Sequence, residues 1–215
     1  MACRAARLKA VRRRETANPI MDPSPVESYL LQLDQQLAAA LQDLAAVDYL
    51  SLWARPAPQE WSPGEHLSHV AAVHHFFRRV NQLLWPISSR MARWRVHHPY
   101  QAIIDDVYAR PAFPHAIGRL WPPRHSYRRP VSLLRLTGEI GEEHRPLRAF
   151  YRTRDEQVLG HAPPYYPSIG WINFTQSLRI ALFHDAHHFA AIREALARAG
   201  AGIGTSPDTT LVRGR

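Results

Sequence analysis

Trp61-Ser62-Pro63-Gly64-Glu65-His66-Leu67-Ser68-His69-Val70 opens a helix on a full set of start signals. Ser62 can cap it, Pro63 suits the opening turn where a missing N–H costs nothing, and Glu65 can reach back to the Ser62 backbone in a reciprocal capping box. Trp61, just before the cap, is a large apolar group able to pin the angle at which the chain joins the helix. Beyond it Leu67, Val70, Val73, Phe76, Phe77, Val80 and Leu84 recur at three- and four-residue spacing, an apolar stripe that Trp85-Pro86 is expected to stop.

Upstream, Asp22-Pro23-Ser24-Pro25 supplies the same kind of start, and Val26, Tyr29, Leu30, Leu33, Leu37, Leu41 and Leu44 predict an amphipathic helix that a linker with Pro56 and Pro58 ends. Downstream, a third helix is expected from about Pro130 to Asp155, with core contacts from Val131, Leu134, Ile140, Leu147, Phe150 and Tyr151 and a kink or break at Pro146. A Pro/Tyr loop over 162–170 leads to a fourth helix, capped by Asn173 with Gln176, lined by Leu178, Leu182, Phe189, Ile192 and Leu196, and terminated at Gly200. The stretch between the second and third helices is rich in proline and aromatics. It reads as a long ordered crossover, with a short helix near Tyr100 to Tyr108. Four long amphipathic helices and no strand pair predict an all-α fold, a four-helix bundle with a long crossover between helices 2 and 3. Residues 22–200 form that bundle. Residues 1–21 read as a basic disordered tail or an upstream start, and 201–215 as a flexible tail.

Composition narrows the function classes. The 215 residues carry a net charge of +9, but the first twenty hold Arg4, Arg7, Lys9, Arg12, Arg13 and Arg14 against Glu15 alone. Lys9 is the sole lysine, which with abundant Ala and Pro points to coding bias rather than to phosphate contacts, and no nucleic-acid motif accompanies the charge. No apolar run approaches the ~18 residues of a membrane-spanning helix, and residues 1–20 lack the apolar core of a secretory signal. The expectation is a soluble cytoplasmic protein with no nucleic-acid or membrane partner. Cys3, the single cysteine, excludes a disulfide framework and a cysteine-based zinc site.

Thirteen histidines are a high count, and most sit where solvent or ordinary hydrogen bonds satisfy them. Phe183-His184-Asp185-Ala186-His187-His188 differs. Four residues of separation place His184 and His188 about 40° apart on one helical face, one turn from each other, so both imidazoles can reach one ion. Ser177, Ala181, Ala191 and Ala195 on that face are small enough to leave room, and His187 points elsewhere. An open zinc-like site takes a third protein ligand. His69, just over two turns into the second helix, is the best candidate, with His66 its competitor.

At these residues the sequence resembles the DinB/YfiT-like family of metal-binding four-helix bundles. The resemblance rests on Trp61 to Val70, similar to that family's Trp-Ser/Thr opening followed by its first ligand histidine. It rests equally on Tyr166-Pro167-Ser168-Ile169-Gly170 followed by His184 to His188, and spans roughly Asp22 to Ala199. It implies that His69, His184 and His188 are the metal ligands. Two positions depart from the family pattern: Ala191 stands where a glutamine is frequent, and Tyr166 where a histidine precedes the proline.

Three neutral imidazoles leave a divalent ion's charge uncompensated, which makes it a strong Lewis acid; zinc or nickel is expected. Two chemistries follow. The resemblance favours a low-molecular-weight thiol cofactor, held as thiolate, attacking an electrophilic small molecule in a transferase or detoxification reaction. The alternative is a metal-dependent hydrolase in which acidified water attacks an ester or amide. A non-catalytic metal-binding or small-molecule-binding bundle would instead show a fourth protein ligand, with His66, His144 or Asp185 as the residues to inspect. Asp185, about 100° around the helix from His184, reads foremost as a salt bridge or cap and only secondarily as a support for the adjacent ligand. Arg124, Arg128 and Arg179 can hold an anion or serve as surface charge. The resemblance also implies a bacterial source and a homodimer.

Overall fold

The computed structural model describes residues 23–110, 120–166 and 169–203. The basic segment 1–21 and residues 204–215 lie outside them. Ser24 opens α1 (Pro25–Leu44) by accepting from the Glu27 N–H, and the helix buries Val26, Tyr29, Leu30, Leu33, Ala40 and Leu44. Five residues then form α2 (Tyr49–Trp53), capped by Asp48. The sequence reading missed this helix because one apolar turn has no periodicity to detect.

At α3 (Pro63–Ala92) the expected capping box is present. The Glu65 N–H donates to Ser62 Oγ at 3.2 Å and the Ser62 N–H to the Glu65 carboxylate at 2.9 Å. Glu65 is buried, and Arg55 clamps both its oxygens at 2.6 and 2.8 Å. Pro86 does not stop α3. It removes one backbone donor, while Ser88 and Ala92 beyond it stay buried and keep the helix docked. Pro146 likewise lies inside an unbroken α4 (Leu133–Arg152), carried across the gap by Leu147, Phe150 and Tyr151. Leu134, expected in the core, is 82% exposed; the buried face runs through Leu136 and Ile140 instead.

After α4 come a short α5 (Glu156–His161) and a two-residue hairpin, β1 (Tyr165–Tyr166) with β2 (Gly170–Trp171). Neither was expected. Gly170, at φ +94°, supplies the backbone geometry that returns the chain to β2. The Asn173–Gln176 box then opens α6 (Phe174–Ile203) by two reciprocal bonds of 2.8 and 3.0 Å. Gly200 does not end this helix, which continues three residues further.

The long helices α1, α3, α4 and α6 make the bundle, with α3 against both α4 and α6, and α1 against α6. Its crossover joins α3 to α4, where the sequence placed it, but residues 100–108 are extended and turn rather than helix. Side chains hold the strap down. Arg179 donates to the Ile104 carbonyl and the Tyr29 hydroxyl, and the His125 N–H donates to Ser68 Oγ. Val107 joins Tyr166, Ile172 and Ile180 in a small core of its own beneath the strap. Among the described residues no helix is long and apolar enough to cross a membrane.

Candidate metal centre

Two turns past the Ser62 cap, α3 points His69 inward, and α6 brings His184 and His188 to the same place. One ligand atom from each of the three lies within 4.8 Å of the others, and all three rings are buried. His69 Nε2 and His184 Nε2 face each other at 3.3 Å. The rings of His188 and His184 are 4.5 Å apart by centroid, one helical turn meeting as the four-residue spacing requires.

Hydrogen bonds on the far side of two rings decide which nitrogens hold protons. His69 Nδ1–H donates to the Trp121 carbonyl at 2.7 Å, and His184 Nδ1–H donates to the Asp185 carboxylate at 3.1 Å. A carbonyl and a carboxylate only accept, so both protons sit on Nδ1 and both Nε2 atoms present lone pairs. Two lone pairs facing each other at 3.3 Å repel unless a cation lies between them. That separation is also the edge of a tetrahedron with metal–nitrogen bonds of about 2.0–2.1 Å, for which geometry gives about 3.3 Å. The donor set thus fits a divalent ion.

Burial keeps these rings neutral. It pushes His69 down to about 4, with His184 adding to the fall, and holds His184 below and His188 well below the usual histidine range. Neutral imidazole is the ligating form. His66 stands behind the centre rather than in it: its Nδ1 shares a proton with His188 Nδ1 at 2.9 Å, and burial pushes it to about 4. No fourth protein ligand closes the centre among the described residues. Asp185 lies on the Nδ1 side of His184, and His144 is grouped with His74 and Asp185 instead.

The open side faces a cavity of about 770 Å³. Trp61, Phe76, Phe77, Tyr108, Trp121 and Tyr166 give it aromatic walls. Trp61, expected only to pin the helix, also packs on His69 at 4.7 Å and lies parallel to His188 at 6.0 Å. Tyr166 is fixed by its hydroxyl, which donates to Asn81 Oδ1 and meets Ser177 Oγ, both at 2.8 Å. Ala191 and Ala195 line the cavity as expected, and exposed His187 forms part of its rim, stacked on Tyr108 at 5.6 Å. Glu60, Glu194 and Arg198 complete the mouth, with Arg198 paired to Glu60. The arginines weighed as anion holders are engaged elsewhere: Arg179 in the strap, Arg124 near Glu143 and Arg128 on the Tyr127 hydroxyl. No sequence signal marked Phe76 and Trp121 as pocket walls, because an apolar stripe looks the same whether it faces a core or a cavity.

No protein-family model matches the sequence, and no curated protein is significantly similar to it. Among solved structures, the fold matches YfiT from Bacillus subtilis with a TM-score of 0.52 and 18% identity, over 81% of this chain and 87% of that one. YfiT is described as "a probable metal-dependent hydrolase with an unusual four-helix bundle topology". The fold is thus a four-helix bundle similar to that of YfiT, and in it three buried imidazoles converge under an aromatic cavity.

Proposed function

We propose that His69, His184 and His188 hold one divalent metal ion and that the protein is a metal-dependent hydrolase of small, largely apolar molecules. The pair of unprotonated Nε2 atoms 3.3 Å apart carries this reading. The described chemistry of YfiT supports the hydrolase part. An ion held by three imidazoles supplies a Lewis acid that acidifies a water or thiol at its open position. The chain's own residues do the rest. The Trp121 carbonyl and Asp185 orient two of the ligands, the aromatic walls exclude water and take the apolar body of the substrate, and Tyr108, its phenol pushed up by burial, keeps its proton at neutral pH.

Transfer to a low-molecular-weight thiol is the second reading. One observation favours it: the carboxylates that line the cavity, Glu60 and Glu194, lie at its mouth. A thiol held at the ion would be a thiolate at neutral pH, its proton released to solvent, and would need no carboxylate base beside it. Elemental analysis of the purified protein should find one ion per chain. His188→Ala should lose it while keeping the helical circular-dichroism signal, and stoichiometric retention by that variant would contradict the assignment. Screens with aryl esters and with electrophile plus thiol, each with and without chelator, separate hydrolysis from transfer.

A further inference from the structure

Behind the three imidazoles lies a second buried group, His74, His144 and Asp185, whose ligand atoms also fall within 4.8 Å of one another. Asp185 is completely buried, and it is the acceptor that commits the Nδ1 proton of His184. Both its oxygens also lie 2.9 Å from His74 Nε2, so His74 donates to the carboxylate from the opposite helix. The two donors meet at one carboxylate: His74 from α3, five residues after His69, and His184 from α6. We propose that Asp185 is the positioning residue of the metal centre and that His74 is the anchor that holds Asp185 in place.

The carboxylate does two things no other neighbour of His184 does. By accepting Nδ1–H it fixes the tautomer, and with it the lone pair on Nε2 facing His69. It also places a negative charge one ring away from the ion, which makes His184 a stronger donor and offsets part of a charge that three neutral ligands leave untouched. His74 prevents the carboxylate from swinging away and gives its oxygens a second donor in a place water does not reach. A rival assignment makes His74, His144 and Asp185 a second metal site, since His74 Nδ1 and His144 Nε2 are buried without partners. Against it, Asp185 is already satisfied without an ion, both its oxygens meeting His74 Nε2–H and Oδ1 also accepting from His184 Nδ1–H.

Asp185 can play this part only if the three imidazoles hold an ion, so the first measurement is metal content and zinc affinity of the wild-type protein by chelator competition. The second is the same affinity in Asp185→Asn and His74→Gln, together with the visible spectrum of the cobalt-loaded proteins and chelator-treated melting curves. Wild type should bind one ion. Asp185→Asn should bind zinc about 10–100-fold more weakly, His74→Gln should shift in the same direction by less, and the cobalt spectrum should change with Asp185→Asn. Wild-type affinity in a folded Asp185→Asn, with only the metal-free melting point lowered, would show an ordinary tie between helices and overturn the assignment. If Asp185→Asn does not fold, His74→Gln decides, because it touches neither His184 nor the ion: weakened affinity supports the assignment and unchanged affinity overturns it. Two ions in wild type, one of them lost in Asp185→Asn, would establish the rival site. No ion in wild type would overturn the centre itself, a result distinct from a failure of Asp185 alone.

Discussion

Lowering the pH should destabilise the metal-free protein through its buried imidazoles, and His144 isolates one of them away from the three convergent rings. It sits in α4, 2% exposed, with its ring 4.6 Å from His74 and its Nε2 unpartnered. Burial pushes it down to about 4; His74 adds to the fall and Asp185 opposes it. In the unfolded chain the ring returns to its ordinary value near 6.5. Between those two values the unfolded chain holds a proton that the folded one refuses, so falling pH favours unfolding. Stability from this ring is therefore intact above about pH 6.5 and is lost as pH falls towards 4. A shift of that size costs about 2 kcal/mol at pH 5 and about 3 kcal/mol at pH 4. Urea unfolding of wild type and His144→Leu at pH 7.5 and 5.0, with chelator throughout, reads this directly. His66, His69, His184 and His188 remain in both chains, so their contributions largely cancel. Wild type should lose about 2 kcal/mol more than the variant between the two pH values. Equal losses would refute the reasoning, whatever the variant's stability at pH 7.5.

Two further outcomes are expected. Saturation with zinc at about 100 times its dissociation constant should stabilise wild type by about 2.7 kcal/mol, an increment that chelator removes and that His188→Ala never shows in thermal melts. Gly160→Ala should cost about 1–3 kcal/mol, because a Cβ there would fall within the Tyr100 ring, which bonds Glu156 from the strap; an unchanged melting temperature would contradict that contact.

What the sequence made legible follows from how local each signal is. Both capping boxes are three-residue events between a side chain and the backbone beside it, so they could be read at Ser62–Glu65 and Asn173–Gln176 and stand as expected. The stops failed for the opposite reason. Pro86 and Pro146 each weaken a helix locally, by one lost donor, and that cost is smaller than the burial of several side chains beyond it, so the first does not stop α3 and the second does not break α4; α6 likewise runs on past Gly200. Ala92, Phe150 and Tyr151 show that burial winning at the two prolines. Leu134 marks the limit of periodicity itself: one apolar residue at the start of a helix does not reveal which side the bundle will cover.

The convergence of His69 with His184 was legible in part: the i, i+4 pair marks one face of α6, while spacing left His66 beside His69 as a candidate third imidazole and the family resemblance favoured His69. The role of Asp185 was less so. Its reading as a salt bridge holds, with His74 as the partner, although its place about 100° around the helix gave no reason to expect it at the ring of His184. But a side chain that cannot reach the ligating nitrogen can still reach the other one. The group that holds it there, His74, is 111 residues away on a neighbouring helix. Nothing in a single sequence distinguishes His74 from His75, which binds Glu143 nearer the surface. Only the 100° step between them along α3 sends one ring into the core and the other towards solvent. That step also explains why one imidazole can support the candidate metal centre while its neighbour cannot.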